Sequence, residues 1–369
     1  MKYFLANKLK SISIIIIVIL SIFTVYLITA LVQAVFKTGE DSLINALSEF
    51  SIITTKGNNI GIDEKTWNYI LSQDSVEQIY NAYCEETSIS NIFGTTSSFV
   101  IFLSENDLNK MFSKSNFKLI TGKMPSPLNY EIIMHETILK NKKLAIGDNL
   151  ELSSGTYKIV GSYSGNSMLT LGIKNHKIEQ YIELGSNIEN VHFAGIVIPK
   201  NSLEDMNFMI DEIDNSDFDS WTASDLKRQF KEQSKSFSVI LSIIVFVVIS
   251  SISSAIGVVL NTLYNGRIDE FGILNAIGYN KKRIISKYIL KEISLLIVFS
   301  WICGMIFSGI VLKIIDYKIF KPMGQTMPIF NIQSLLYTVV SLVVILIIAV
   351  VPIVVKLSKA DLISVIERR

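Results

Sequence analysis

The sequence contains few of the residues that build catalytic or metal sites. It has three histidines in 369 residues, and His135, His176 and His192 lack the spacing of metal ligands. No G-x-x-x-x-G-K-[ST] phosphate loop occurs, which excludes ATP hydrolysis by that route. The acidic run from Asp211 to Asp219 lacks the glycine and closing glutamate of an EF-hand loop, so we interpret it as a solvated helix face. We therefore predict no catalytic residue, no metal site, no directly bound cofactor and no nucleic-acid partner.

Apolar residues, in contrast, are abundant. Hydrophobic residues make up 49% of the chain and the mean hydropathy is +0.42, which is high for a soluble domain. A helix needs about 20 mostly apolar residues to cross a hydrocarbon core of about 30 Å. Four segments meet this requirement, at 11–35, 237–262, 289–315 and 333–355. Because lipid cannot satisfy exposed backbone groups, we predict four transmembrane α-helices.

The first apolar segment has an alternative interpretation as a cleaved signal peptide. Lys2, Lys8 and Lys10 would supply its charged front. The apolar run is too long for a signal peptide, and no small-x-small cleavage site follows it cleanly. We therefore expect the segment to remain as a membrane helix.

The orientation in the membrane follows from the distribution of lysine and arginine. Basic residues collect in the segments 1–10, 263–288 and 356–369, which the four spans place on one side. Basic loops stay in the cytoplasm. We therefore predict that both termini are cytoplasmic, and that segment 36–236 and the short loop 316–332 are extracytoplasmic.

The long segment 36–236 has the pattern of a folded α/β (α+β) domain inserted between the first two membrane helices. Helix starts are indicated at Asp63, a candidate N-cap, and at Ser104, which begins a capping-box-like run. A charged helix at 225–235 is expected to run directly into the second span. Strands are predicted at 76–83, 99–103, 132–134, 150–152, 157–161 and 194–199, and the polar residues 162–194 as an inserted loop or small β lobe.

Small residues recur at four-residue steps in two of the predicted spans. They are Ser250 and Ser254 in the second span, and Ser300, Gly304 and Ser308 in the third. This spacing lets helices approach closely in lipid. Contacts within one chain and contacts between two copies both fit the pattern.

The loop between the second and third spans contains a short apolar helix pattern. Its apolar residues recur at helical steps either as Phe271, Leu274 and Ile277 or as Ile273 and Ile277, and Gly278 is a candidate C-cap. The helix is too short to span a membrane. Its apolar edge needs a partner that covers it.

The same loop carries a family pattern. It resembles R-x-x-E-[IF]-G-[IL]-L-x-A-[IL]-G followed by a basic cluster, which marks FtsX/MacB-like ABC transporter permeases. The resemblance makes nine residues the candidate coupling site: Arg267, Glu270, Phe271, Gly272, Ile273, Leu274, Ala276, Ile277 and Gly278. Glu292 falls where the family often has an acidic residue entering the third span.

The resemblance extends over most of the chain. Segments 119–125, 131–133, 146–148 and 157–161 are similar to the extracytoplasmic core of the MacB-type subgroup. The tail at 357–363 is similar to the family's terminal segment, although Asp361 departs from its frequent small-Pro pattern.

The resemblance implies the permease subunit of an ABC transporter in the bacterial cell membrane. ATP and Mg²⁺ would be used by a separate cytoplasmic ABC ATPase subunit that docks on the short helix. The permease would act as a homodimer or as a dimer with a paralogous permease, and membrane lipid would surround it. An adaptor or membrane-fusion protein is a further expected partner. The expected function is export of peptides or antimicrobial compounds, or resistance to them.

The alternative is an FtsX-like mechanotransmission regulator of a cell-wall hydrolase. A receptor without an ATPase is disfavoured by the Arg267–Gly278 pattern.

Overall fold

The computed structural model describes residues 8–55, 62–92, 94–127, 129–175, 191–213 and 218–359. The chain divides into two compact units. The helical unit comprises the described residues up to Gln33, Ser236–Asp316 and the described residues from Met327 onward. The sheet unit comprises Ala34–Lys235 and Tyr317–Thr326.

The helices and strands alternate in the first part of the chain, and helices alone follow. The first elements are α1 (Lys8–Gly39), β1 (Ser51–Thr55), α2 (Glu64–Leu71), β2 (Val76–Asn91), β3 (Gly94–Leu103), α3 (Glu105–Lys114), β4 (Lys118–Gly122), β5 (Glu131–His135), α4 (Glu136–Lys142), β6 (Asn149–Leu152), β7 (Gly155–Ser164), β8 (Thr170–Ile173), β9 (Val191–Pro199), α5 (Leu203–Glu212) and β10 (Phe218–Trp221). The later helices are α6 (Ala223–Asn265), α7 (Ile268–Ala276), α8 (Lys281–Ile284), α9 (Lys291–Ile315) and α10 (Ile332–Lys359).

Four helical segments in the described chain are long and apolar enough to cross a membrane, and they contain α1, α6, α9 and α10. The predicted fold class, four such helices with a mixed α/β domain after the first, is confirmed. Helix α6 is uninterrupted over 43 residues, so the charged stretch 225–235 and the second span form one element.

The helical unit has an apolar core to which all four of its long helices contribute. Ile14, Val18 and Ile22 of α1 are fully buried, at the four-residue spacing of one helix face. Further fully buried residues of this core are Ile256 and Leu260 of α6, Ile293 and Ile297 of α9 and Ile345 of α10.

The small-residue step of α9 is part of this packing. Ser300, Gly304 and Ser308 are all buried. A Cβ on Gly304 would lie 3.1 Å from the Cβ of Ile22, so α9 and α1 approach closely within one chain. On α6, Ser254 is exposed and its hydroxyl donates to the Ser250 carbonyl.

The sheet unit is built on a mixed sheet. The described strands follow the order β10-β1-β9-β2-β3-β8-β5-β7-β4, and β6 pairs with β7. The pairs β3–β8 and β5–β7 are parallel, and the other pairs are antiparallel. The long strand β2 lies between β3 and β9.

Local capping explains where several helices of the sheet unit begin. Asp63 accepts from the Thr66 amide at the start of α2, and Ser104 accepts from the Asp107 amide at the start of α3. Both caps were predicted from the sequence. Ser202 caps α5 in the same way.

Part of the acidic run was interpreted wrongly as a solvated helix face. Asp211 and Glu212 end α5, but Asp219 lies on strand β10. The Asp211 carboxylate accepts hydrogen bonds from the hydroxyls of Thr222 and Ser224, which join the end of α5 to the start of α6.

Segment 317–326, part of the stretch 316–332 that was predicted as a short extracytoplasmic loop, belongs to the sheet unit. The Asn141 side-chain amide donates to the Met323 carbonyl at 3.0 Å. Gly324 has φ +68°, and a Cβ there would lie 2.7 Å from the Thr137 carbonyl oxygen. Only glycine satisfies both the left-handed backbone and this close approach.

Candidate functional site

The candidate site is the short helix α7 with the residues that flank it. It begins after Arg267, whose carbonyl accepts from the Phe271 amide. At its end the Tyr279 amide donates to the Leu274 carbonyl and the Gly278 amide donates to the Asn275 carbonyl, both at 3.0 Å. This is the Schellman pattern, and it places Gly278 at φ +100°. The helix stop predicted at Gly278 is therefore present.

Arg267 is buried and forms two ion pairs. Its Nε lies 3.0 Å from Oε2 of Glu270, and its Nη1 lies 3.2 Å from Oε2 of Glu292 at the start of α9. The Arg267 and Glu292 side chains are only 7% and 15% exposed, whereas Glu270 is 53% exposed. The pair with Glu292 therefore fixes the start of α7 to α9 inside the unit.

Two aromatic rings complete the environment of Arg267. The rings of Tyr264 and Phe271 are stacked, with centroids 6.3 Å apart and planes 18° apart. The Arg267 guanidinium carbon lies 5.0 Å from the Phe271 ring centroid and 5.7 Å from that of Tyr264. Stacking of this kind offsets the loss of hydration of the guanidinium.

Exposure divides the apolar residues of α7 into two faces. Phe271 is 0% exposed and Gly272 is buried, whereas Ile273 is 54% and Ile277 is 70% exposed. The edge formed by Phe271, Leu274 and Ile277 is therefore not exposed along its whole length, and a partner could not contact all three residues. The alternative edge of Ile273 and Ile277 is the exposed one.

Phe271 and Leu274 face inward, and their packing attaches α7 to the rest of the helical unit. Phe271 belongs to the core shared with α1, α6, α9 and α10, and Leu274 packs partly buried against it. Arg267 likewise points inward to Glu292 instead of offering an exposed anchor. Glu270 and Ala276 remain exposed beside Ile273 and Ile277.

A basic turn follows α7. The Asn280 side chain accepts from the Lys282 amide and caps α8, which carries Lys281, Lys282 and Arg283. A π-helical turn, Ile285–Leu290, then leads into α9. The exposed surface thus consists of an apolar ridge with an acidic residue at one end and basic residues after the other.

The side chains of this site are suited more to binding a partner than to catalysis. Among the described residues, no group of three or more His, Cys, Asp or Glu side chains could hold a metal ion. Sequence reasoning did not single out Tyr264, because it lies at the end of α6 and its stacking on Phe271 of α7 depends on the turn between the two helices.

Comparison with known proteins locates this site within a family domain. The family model described as FtsX-like permease C-terminal matches residues 239–362. No curated protein sequence matches the chain.

Solved structures similar to the chain include two extracytoplasmic regions of transporters. The periplasmic region of MacB from Actinobacillus actinomycetemcomitans is 12% identical, with 51% of this chain and 94% of that chain covered and a TM-score of 0.30. The extracellular domain of the noncanonic ABC-type transporter YknZ from Gram-positive bacteria is 8% identical, with 43% and 89% covered and a TM-score of 0.27. By the family match, the chain carries an FtsX-like permease C-terminal domain over residues 239–362, which holds α7 and the two apolar helices that follow it.

Proposed function

We propose that the protein is the permease subunit of an ABC transporter and that α7 is its docking helix for a separate ATPase. The exposed pair Ile273 and Ile277 is the observation that carries the proposal. A soluble partner groove would remove these two side chains from water, and the buried Arg267–Glu292 pair would hold the helix while the partner pushes on it.

The basic segments 1–10, 263–288 and 356–369, which the four spans place on one side, support a cytoplasmic position for α7 with both termini on the same side. The ATPase would supply ATP hydrolysis with Mg²⁺, and the permease would contribute no catalytic group. We propose export of peptides or antimicrobial compounds across the bacterial cell membrane as the outcome of this coupling.

We also propose that the working unit is a dimer, formed by two copies or with a paralogous permease. Ser254 supports this proposal because it keeps a small exposed residue on α6, where a second helix can come close. The Ser300–Gly304–Ser308 step of α9 does not support it, since those residues are buried within the chain.

Capture of an ABC ATPase subunit by the purified permease tests the docking role. Burial of apolar surface contributes about 25 cal/mol per Å², so losing one large apolar contact costs roughly 1.5–3 kcal/mol, or about one to two decades in affinity. Ile273→Asp and Ile277→Asp should therefore weaken capture while leaving the thermal unfolding temperature unchanged. The matched control is Phe208→Asp, because Phe208 is 64% exposed on α5 of the sheet unit.

Leu274→Asp separates docking from packing. Since Leu274 is partly buried against the core of the helical unit, this change should lower yield and thermal stability as well as capture. Normal ATPase capture by well-folded Ile273→Asp and Ile277→Asp proteins would refute the docking role.

A further inference from the structure

The sheet unit contains a cavity of about 120 Å³ that the proposed docking function does not use. Its walls come from five parts of the chain that are far apart in sequence. They are the end of α1 with the turn that follows it, Ile89 of β2, helix α4, Met168, and residues 324–326. The turn after α1 is π-helical over Glu40–Ile44, a local geometry that is frequent at functional sites.

Gln325 lines this cavity with an unsatisfied acceptor. The residue is only 7% exposed. Its Nε2 donates to the Ser90 carbonyl at 2.5 Å. Its Oε1 is buried and has no hydrogen-bond partner in the part of the chain that the structure describes. A buried acceptor in this state costs free energy unless a donor reaches it.

Asp41 supplies a second acceptor, and it carries a negative charge. Its Oδ1 accepts from the Asn45 side-chain amide at 2.7 Å and lies 2.8 Å from the Lys37 ammonium. Both contacts are made through Oδ1, so Oδ2 can accept a hydrogen bond from a ligand inside the cavity. Together with Glu40, which pairs with the same lysine, the turn carries one more negative than positive charge.

Three of the other polar side chains of the wall have already donated their protons. The Thr38 hydroxyl donates to the Ala34 carbonyl, and the Ser42 hydroxyl donates to the Gly39 carbonyl. The two amide protons of Asn141 are donated to the carbonyls of Ser90 and Met323. The remaining side-chain donors of the wall are the hydroxyls of Thr137 and Thr326, which can also accept, so the cavity favours a ligand rich in donors.

The large apolar side chains of the wall are Ile89 and Met168. A ligand with an apolar body and a cationic donor head matches both parts. An ammonium group has three donors and no acceptor, and its hydrogen bonds to a carboxylate are charge-assisted. Since a cavity of about 150 Å³ holds benzene, this one limits the ligand to about five or six heavy atoms.

We propose that this cavity binds a small primary amine, whose ammonium group donates to Asp41 Oδ2 and Gln325 Oε1 while its aliphatic body lies against Ile89 and Met168. Such a ligand would join the turn after α1 to segment 324–326 through a single molecule. The proposal is independent of the ATPase docking role.

The test uses the full chain in nanodiscs and two probes of nearly equal shape, isobutylammonium chloride and isobutanol. Calorimetry at fixed ionic strength gives both dissociation constants. We expect the amine to bind at least about tenfold more tightly than the alcohol, because only the amine makes charge-assisted hydrogen bonds. Equal affinities for the two probes would overturn the proposal.

Variants locate the site. Asp41→Asn keeps the shape of the side chain and the acceptor for Asn45, and Gln325→Met removes the unsatisfied acceptor at similar volume. Each should weaken amine binding by about tenfold or more and weaken alcohol binding less, because the alcohol makes only hydrogen bonds without charge assistance. Glu40→Gln is the matched control, since it removes the same charge beside Lys37 from a residue that does not line the cavity.

An equal loss of amine affinity in Glu40→Gln would show a general charge effect and refute the site. Unfolding temperatures without ligand identify any variant that fails to fold. The comparison of amine with alcohol on the unmodified chain decides the proposal even then.

Discussion

Arg267 and Glu292 are 25 residues apart in sequence, and their side chains form an ion pair with 3.2 Å between Nη1 and Oε2. Both side chains are largely buried, at 7% and 15% exposure. The pair links the residue that precedes α7 to the first turn of α9, so the orientation of α7 depends on a contact inside the helical unit.

Replacing one partner of this pair should destabilise the protein. Glu292→Gln leaves the Arg267 charge buried with a weaker partner, and we expect a loss of about 2–4 kcal/mol. The control Glu270→Gln removes an exposed partner of the same arginine and should cost less than about 1 kcal/mol. Thermal unfolding in nanodiscs measures both, and equal losses would contradict the structural importance of Glu292.

The close approach of α9 to α1 predicts a contrast between two glycines of the same helix. Gly304→Leu should lower the unfolding temperature, since a Cβ already meets the Ile22 Cβ at 3.1 Å and the Ile19 Cα at 3.4 Å. Overpacking of this kind costs about 1–3 kcal/mol. Gly309→Leu should be tolerated, because nothing lies within 4 Å of its added Cβ. Similar effects of the two changes would show that the helices do not pack through Gly304.

The predicted orientation can be tested by labelling with an impermeant thiol reagent in intact cells. Asn109→Cys, on exposed α3, should react, and Asn280→Cys, on the exposed turn before α8, should not. Asn175 is a poor labelling position because it is 8% exposed and its amide donates to the Tyr157 hydroxyl. Equal labelling at 109 and 280 would contradict the orientation.

The native Cys84 should contribute little background to this experiment. Cys84 is 1% exposed, and burial raises the pKa of its thiol, so the reactive thiolate is scarce at neutral pH. A chain without introduced cysteines provides the control.

His135 predicts a dependence of stability on pH. Its Nδ1 accepts from the Thr137 amide at the start of α4, and burial lowers the pKa of the imidazole below its usual 6.5. Between that lowered value and 6.5 the unfolded chain binds a proton that the folded chain does not, so stability falls as the pH decreases through this window. The unfolding temperature should therefore be lower at pH 5 than at pH 7.5.

The variant His135→Asn keeps a side-chain acceptor for the Thr137 amide and should reduce this pH dependence. The variant His192→Asn, at an exposed position on β9, is the control and should retain it. An unchanged pH profile in His135→Asn would assign the effect to other groups.

Local and compositional features were predictable from the sequence. The four apolar helices follow from length and hydropathy, and the starts at Asp63 and Ser104 follow from capping within three residues. Strands β1 and β10 were not predicted, because each is short and is stabilised by pairing over long distances. Ile52 pairs with Trp221, and no local pattern encodes that partner.

The orientation of α7 could not be predicted for a related reason. Phe271 with Leu274 and Ile273 with Ile277 are both at helical spacing, so periodicity allows either edge to face inward. The stacking of Phe271 on Tyr264 and the pair between Arg267 and Glu292 decide the choice, and both depend on tertiary contacts.

The position of β1 between β9 and β10 has a consequence for synthesis of the chain. Both partners of β1 lie far downstream, from Val191 to Trp221, so β1 leaves the ribosome long before it can pair. At about 5–20 residues per second the delay is roughly 10–30 s. During that interval Ile52 and Ile53, which are fully buried in the finished sheet, stay uncovered. A chaperone that shields this one strand would therefore raise the yield more than one that acts on any later strand.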